Sequence, residues 1–504
     1  MATERRQRER KRRKRPAVAL GGLETRAYQP LSESDIKRIH QASLDVLEQT
    51  GIEVLPSEAR QIFAQAGAMV DESDNRVRIP RSMVEDALAK ACRRFTLAGR
   101  EERHDLDMGG DRVYMGTGGA AIKVVDLDGQ LRQSRLEDIA RIGRLVDALD
   151  NIHFYLRPVV AQDVPDELLD VNKTYAALSN TSKHVMTSAY NVKSAREVIE
   201  MVSMVTGGKA AYEERPIVSF TSCWTVSPLR YATETVEVLL ELVKQNIPVT
   251  ISSAPQSGAT SPAALAGTLV QINAEELSGI VLTNLVRPGA RVLLGYVPSV
   301  ADLRTGNFVG GAPEFALMNA AAAQLGHFYN LPVYNSSALT DSKLSDVQAG
   351  YEKGITSTAA ALAGSNYIHH SAGFLENMLT VSYEQYVIDD DINGSIMRMV
   401  RGIEVNDETL SVDLIDQVCR GEGHYLGTRQ SLQMMRTEYY YPHTGDRTRR
   451  GDWEQAGSLD MRQRARARAQ EILETHEPAR LDADVDRAIR KRFEILLPAE
   501  LAGM

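Results

Sequence analysis

The stretch LPVYNSSALTDSKLSDVQAGYEK (residues 331–353) contains one full unit of the fold. An apolar run ends in a loop crowded with Asn335, Ser336, Ser337, Thr340, Asp341, Ser342 and Lys343, and a segment of helical period follows it. The same order recurs along the chain. Strands are predicted at 113–116, 153–160, 184–188, 217–223, 248–253, 291–297, 332–336 and 367–371. Helices are predicted in the gaps, near 135–149, 166–179, 193–206, 230–245, 262–286, 314–328, 345–363 and 383–400. Eight alternating units over roughly 290 residues are what a (β/α)8 TIM barrel of the α/β class requires, with an open doubly wound sheet as the second choice.

Outward from that core, four regions follow. Residues 1–30 form a basic tail read as disordered, with nine Arg or Lys among the first fifteen positions. Residues 31–112 carry an N-terminal helical extension with amphipathic helices at 33–49, 56–66 and 81–92, the last beginning after Pro80. The barrel covers 113–400, and a polar helical extension covers 401–504.

Composition narrows the class. The 504 residues are 43% apolar and 25% charged, with a net charge of −9, which suits a large soluble domain and argues against a nucleic-acid enzyme. The basic tail is then a solvated arm. Cys92, Cys223 and Cys419 lie far apart without C-x-x-C spacing, so neither a disulfide framework nor a structural zinc is expected, and a reducing, cytoplasmic setting is. No apolar run reaches the ~20 residues of a membrane span.

In a barrel the residues just past each strand face one mouth. Those positions hold GTGG (116–119), Tyr190, Asn191, Cys223, Trp224, Ser252 to Pro255, Tyr296, Arg304 and the pair His369 and His370. The lining is aromatic and poor in acids. It suits a cationic organic group held by ring faces, with Arg304 available to grip a carboxylate, although core packing explains each aromatic residue equally well. GTGGAA (116–121) matches a dinucleotide fingerprint in letters only, because a D-G hairpin follows where a helix is required. His369 and His370 are adjacent, so on a strand at most one faces the mouth, and no metal site is expected from them. Lys343 is a Schiff-base candidate of the kind barrel lyases use, and Cys223 a nucleophile candidate without a His partner in the local pattern.

Several longer segments resemble the trimethylamine methyltransferase family of corrinoid-dependent enzymes, which includes glycine betaine methyltransferases. They are VLEQTGIEV, GGDRVYMGTGGAAIKVVDLDGQLR, SVADLRTGNFVGGAPE, SSALTDSKLSDVQAGYEK and HHSAGFLENMLTVSYEQYVIDDDI, and the likeness spans roughly residues 30–490. The resemblance implies a methyl-transfer barrel that docks a separate cobalt corrinoid (cobalamin) protein over its mouth, with no metal held by this chain. Archaeal members carry pyrrolysine in the loop at or near Leu339; an ordinary residue here implies the non-pyrrolysine branch, whose donors are quaternary amines such as glycine betaine, proline betaine and carnitine. A quaternary nitrogen leaves as a neutral tertiary amine, so the site has mainly to bind, orient and desolvate the cation.

The expected roles follow from that. Arg304 pairs the substrate carboxylate; Tyr190, Trp224, Tyr296 and Phe308 cage the ammonium; His369 or His370 with Asn335 orients it; Leu339 and Asp341 are the loop candidates for any catalytic part. Other readings stay open: trimethylamine or another methylated amine as donor, a lyase using Lys343, or a non-catalytic binding protein. A homo-oligomer is expected on general grounds.

Overall fold

The computed structural model describes residues 18–502. All eight expected strands are present: β1 (Arg112–Met115), β2 (Phe154–Leu156), β3 (His184–Thr187), β4 (Val218–Ser222), β5 (Val249–Ser253), β6 (Val292–Tyr296), β7 (Val333–Ser336) and β8 (Tyr367–His369). They form one parallel, mixed α/β sheet in the order β2 to β8 and then β1. One isolated bridge links the two ends of this series. Gly116 bridges Phe154, and the His153 N–H donates to the Met115 carbonyl at 2.7 Å. A side chain at 116 would put its Cβ 2.4 Å from the Phe154 ring, so this seam requires glycine.

The helices between the strands are α1 (Leu136–Asp147), α2 (Asp166–Leu178), α3 (Val192–Thr206), α4 (Thr233–Lys244), α5 (Leu265–Val286), α6 (Pro313–Tyr329), α7 (Val347–Leu362) and α8 (Tyr383–Val400). Local chemistry fixes their starts. The Asn191 side chain accepts from Ser194 N–H at the start of α3, and Asp346 accepts from Ala349 N–H at 3.0 Å at the start of α7. Each such cap contributes about 1 kcal/mol.

Both faces of the sheet are covered, which is why the strands read as continuous apolar runs. The outer face packs on the helices. The inner face holds a separate cluster in which Tyr114, Phe154, Leu156, Met186, Leu293, Tyr334 and Tyr367 pack on Phe95, Leu97, Leu106 and Met108. Those last four come from a hairpin, Phe95–Leu97 with Leu106–Met108, that plugs the amino-terminal end of the sheet.

The N-terminal extension departs from expectation. Its helices stand at Glu33–Asp45, Ser57–Gln65 and Arg81–Lys90, but short strands at Ile52–Val54, Met69–Asp71 and Arg76–Arg78 join them, so the region is α/β and not helical alone. Three-residue strands lie below the length at which periodicity reads clearly. The extension packs on α5, which explains why that helix is buried on nearly all sides. Within the tail read as disordered, Leu23–Glu24 pairs antiparallel with Val113 and Arg112; the basic cluster itself, at residues 1–17, lies outside the described residues.

At the other end, Met461–Thr475 packs along α8 and α1, and Ala483–Arg492 against α3. Between α8 and these helices, short helical pieces over 407–455 leave large apolar side chains such as Ile403 and Leu426 exposed. Among the described residues no helix is long and apolar enough to cross a membrane.

Candidate functional site

Below the level of Tyr334, Met186 and Leu293 the inner face is sealed. Above it, toward the carboxyl ends of the strands, Arg157, Ser188, Thr221 and Val297 are half-buried and Cys223 is exposed. Water therefore enters a cleft walled by strand ends.

An aromatic column forms one wall. Tyr367 stacks on Phe154 at 3.5 Å and on Tyr334 at 5.5 Å; Tyr334 stacks on His369 at 4.0 Å; His369 lies 3.8 Å from His370, which meets Phe374 edge-on at 5.2 Å. Both histidines sit here, against the expectation from alternation. β8 stops at His369, and His370 takes a left-handed backbone with φ of 62°, which turns its ring to the same side. The His369 Nδ1–H donates to the Asn335 carbonyl at 2.6 Å, so its Nε2 keeps the lone pair. Ser336 Oγ holds His370 Nδ1 at 2.7 Å. Burial pushes His369 down to about 3 and His370 well below the usual histidine range. Both rings are neutral, so neither repels a cation.

Opposite stands a charged group. Arg157 Nη2 donates to Ser188 Oγ at 3.2 Å, and Lys173 Nζ donates to the same oxygen at 3.2 Å. Lys173 pairs with Asp170, whose second oxygen accepts from the Tyr190 N–H at 2.7 Å. Burial lowers Lys173 to about 8, with the Arg157 charge adding to the effect. Arg157 also faces the Cys223 thiol and the Tyr334 phenol. Although its surface is open to the cleft, desolvation by the surrounding strand ends raises the Cys223 thiol against the opposing Arg157 charge, which argues against a thiolate nucleophile.

The loop after β7 is a braced wall. Glu352 Oε2 accepts from Thr340 Oγ1 at 2.5 Å and from Asp341 N–H at 2.9 Å. Lys353, fully buried, donates to the Ala338 carbonyl at 2.8 Å and pairs with Asp389 at 2.9 Å. Asp389 in turn accepts from the Gly373 N–H at 2.7 Å, tying this loop to the one after β8. Leu339 is buried in the apolar core and Asp341 accepts from the Gly310 N–H, so neither presents a reactive group. Lys343 is exposed and donates to the Asp341 carbonyl, a solvated lysine away from any apolar pocket.

The remaining expected residues do not gather at the cleft. Trp224 is fully buried behind β4, where its ring meets Tyr231 at 4.5 Å. Tyr296 points into the helix layer, its hydroxyl donating to Asn273 of α5 at 2.8 Å. Asn335 also faces outward, donating to the Tyr296 carbonyl and accepting from Ser365 Oγ. Arg304 is 88% exposed and held by Asp302 at 2.8 Å. Phe308 is half-buried in a short rim strand paired with Ala301, and Tyr190 stands on the rim with its ring in water.

That rim has a pattern of its own. Ile122, Tyr190, Val226, Leu303, Leu344 and Leu379, each in the loop after a different strand, are large apolar side chains exposed to solvent. Among the described residues no cluster of three His, Cys, Asp or Glu side chains could hold a metal ion.

A parallel α/β sheet with an aromatic, largely neutral cleft at its strand ends is the build of an enzyme for a small organic substrate. The chain belongs to the trimethylamine methyltransferase (MTTB) family, which it matches over residues 2–494. It is 37% identical to the trimethylamine methyltransferase MttB of Desulfitobacterium hafniense (strain DSM 10664 / DCB-2), covering 92% of this chain and 93% of that one. It is 38% identical to the trimethylamine methyltransferase MttB of Methanosarcina barkeri, covering 93% and 94%. A glycine betaine methyltransferase of Desulfitobacterium hafniense (strain Y51) is 33% identical, covering 92% and 96%. The chain is accordingly a methyltransferase.

Proposed function

We propose that this methyltransferase moves a methyl group from a quaternary amine of the glycine betaine kind to the cobalt of a corrinoid carried by a partner protein, and that its sheet is a closed (β/α)8 barrel whose mouth is the site. The bridge between Gly116 and Phe154 supports closure, since it joins the two ends of the strand series. One observation carries the chemistry: the cleft wall is a column of uncharged rings, Tyr334, His369 and His370, and among the described residues no thiolate or free lysine joins it. Such a wall can hold an ammonium by its ring faces and shed its water, and it can do little else.

The corrinoid supplies a Co(I) nucleophile when docked. The C–N bond breaks, the nitrogen keeps the electron pair, and a neutral tertiary amine departs, so this chain needs to move no proton. Its work is to orient one N–CH3 bond toward the open mouth and to exclude water around it. Leu339 lies buried where the family resemblance places pyrrolysine, which favours a donor that needs no covalent activation. The apolar rim of Tyr190, Val226, Leu303 and Leu344 supports docking of a protein over the mouth, because exposed apolar rings of this kind mark interaction surfaces.

The test is a spectroscopic assay of the full chain with Co(I) cobalamin or a corrinoid protein and glycine betaine, proline betaine, carnitine, choline or trimethylamine. Methylation of the corrinoid with at least one quaternary donor is expected. Reaction with trimethylamine alone would replace the donor class, and no reaction with any of them would overturn the methyl-transfer assignment.

A further inference from the structure

The Arg157 group carries more charge than its surroundings balance. Lys173 and Asp170 are both buried and cancel each other, while Asp170 is also saturated by the Tyr190 N–H. Arg157 then stands alone: among the described residues no carboxylate lies within ion-pair distance of its guanidinium, and its one side-chain partner is the neutral Ser188 hydroxyl. The group is half-buried, and burial lowers its pKa, though it stays charged. A half-buried cation with no counter-charge becomes costly when solvent is withdrawn, unless an anion completes it.

We infer that Arg157, with Ser188 beside it, is the anion-binding end of the donor site and holds the carboxylate of a carboxylated quaternary amine. This rests on the methyl-transfer reading above and deepens it. The guanidinium fork matches a carboxylate with two parallel N–H donors, which a lysine could not do. Arg157 shares the cleft with Tyr334 and Cys223, and Tyr334 stacks on His369. A small zwitterion can therefore place its acid on Arg157 and its ammonium against the ring column, leaving a methyl group pointed outward. Lys173 shares the Ser188 hydroxyl with Arg157, and Asp170, paired with Lys173, favours the Arg157 charge only from beyond ion-pair distance. The role assigned to Arg304 from sequence passes to Arg157. An oxyanion could also come from the phosphate of the acceptor's nucleotide tail, and the test separates the two sources.

The experiment compares wild type, Arg157→Gln and Arg157→Lys in two ways: calorimetric binding of glycine betaine, proline betaine, carnitine and choline without acceptor, and methyl transfer to cobalamin or to cobinamide, which lacks the phosphate. Arg157→Gln is expected to weaken binding of whichever carboxylated amine wild type binds by about a hundredfold, with choline binding changed less than threefold. Arg157→Lys should recover part of that loss, which shows that the variant protein is folded. Equal losses on choline and the carboxylated amines, unchanged binding, or no binding of any carboxylated amine by wild type would overturn the inference while leaving methyl transfer itself untouched. An Arg157 effect seen with cobalamin and absent with cobinamide would assign the anion to the acceptor and overturn it too. Absence of turnover with intact, Arg157-dependent binding would instead sink the methyl-transfer reading.

Discussion

Replacing Lys353 with Met tests how the cleft wall is held. Lys353 and Asp389 are both essentially inaccessible, and the ammonium makes two bonds, to the Ala338 carbonyl and to Asp389. Methionine fills similar space but leaves Asp389 charged and buried, with only the Gly373 N–H and Gln385 Nε2 at 2.8 Å to support it. Breaking a buried pair from one side costs about 3–5 kcal/mol. At about 1 kcal/mol per degree of unfolding entropy for a chain of this length, the melting temperature should fall by about 3–5 °C. The second half of the test is the double variant Lys353→Met, Asp389→Asn. It removes the stranded charge and keeps an oxygen for Gly373, so it should recover more than half of the loss. Denaturant unfolding measures both. A single variant that loses less than about 1 kcal/mol, or a double variant that is additively worse, would refute the view that a stranded charge governs this wall.

Other outcomes follow from the same geometry. Burial raises Asp390, whose oxygens accept from Asn151, to about 6 from 3.8, so the folded protein binds more protons than the unfolded chain between those values. Stability should therefore fall as pH rises from about 4 to 6, by about 3 kcal/mol, and Asp390→Asn should flatten that slope in pH-dependent denaturation; an unchanged slope would contradict the shift. Nitrogen NMR of His369 should show one neutral tautomer protonated at Nδ1 from pH 5 to 8, and a midpoint inside that range would refute the neutral wall. Because Arg304 is exposed and held by Asp302, Arg304→Ala should leave KM for any carboxylated donor within about twofold, as surface ion pairs contribute little; a large rise would restore the role first read for it.

The strands were legible because each apolar run is short and bounded by Pro, Gly or polar loop residues, as at Pro332 to Ser336. Which way their side chains point was not. In a parallel sheet both faces are buried, so period two carries no polarity, and Trp224, Tyr296 and Asn335 looked like mouth residues while facing the helices. Arg157 was hidden by the opposite error: the run HFYLRPVV reads as one strand through residue 160, but β2 ends at Leu156 and the next residue turns into the cleft. The Arg-Pro pair was the signal available, since a residue before proline often marks a break. His370 escaped because its left-handed backbone, rare for a residue with a side chain, leaves no trace in composition. The polar, solvated setting of Lys343 was legible in the loop after β7, where its ammonium donates to the Asp341 carbonyl.

The seam around β1 bears on how the chain folds. β8 pairs with β1 through Tyr367 with Tyr114 and Ile368 with Met115, so joining them closes a loop of about 250 residues, at a chain-entropy penalty of about 5 kcal/mol. Every other neighbouring pair closes a far shorter loop. On a growing chain β1 can meet β2 early through Gly116 and Phe154, but its ladder to β8 must wait until β8 has been made. The Tyr114 and Gly116 amides, which donate to Asn366 and Ile368, should accordingly gain protection last in pulsed hydrogen exchange and lose it first on partial unfolding.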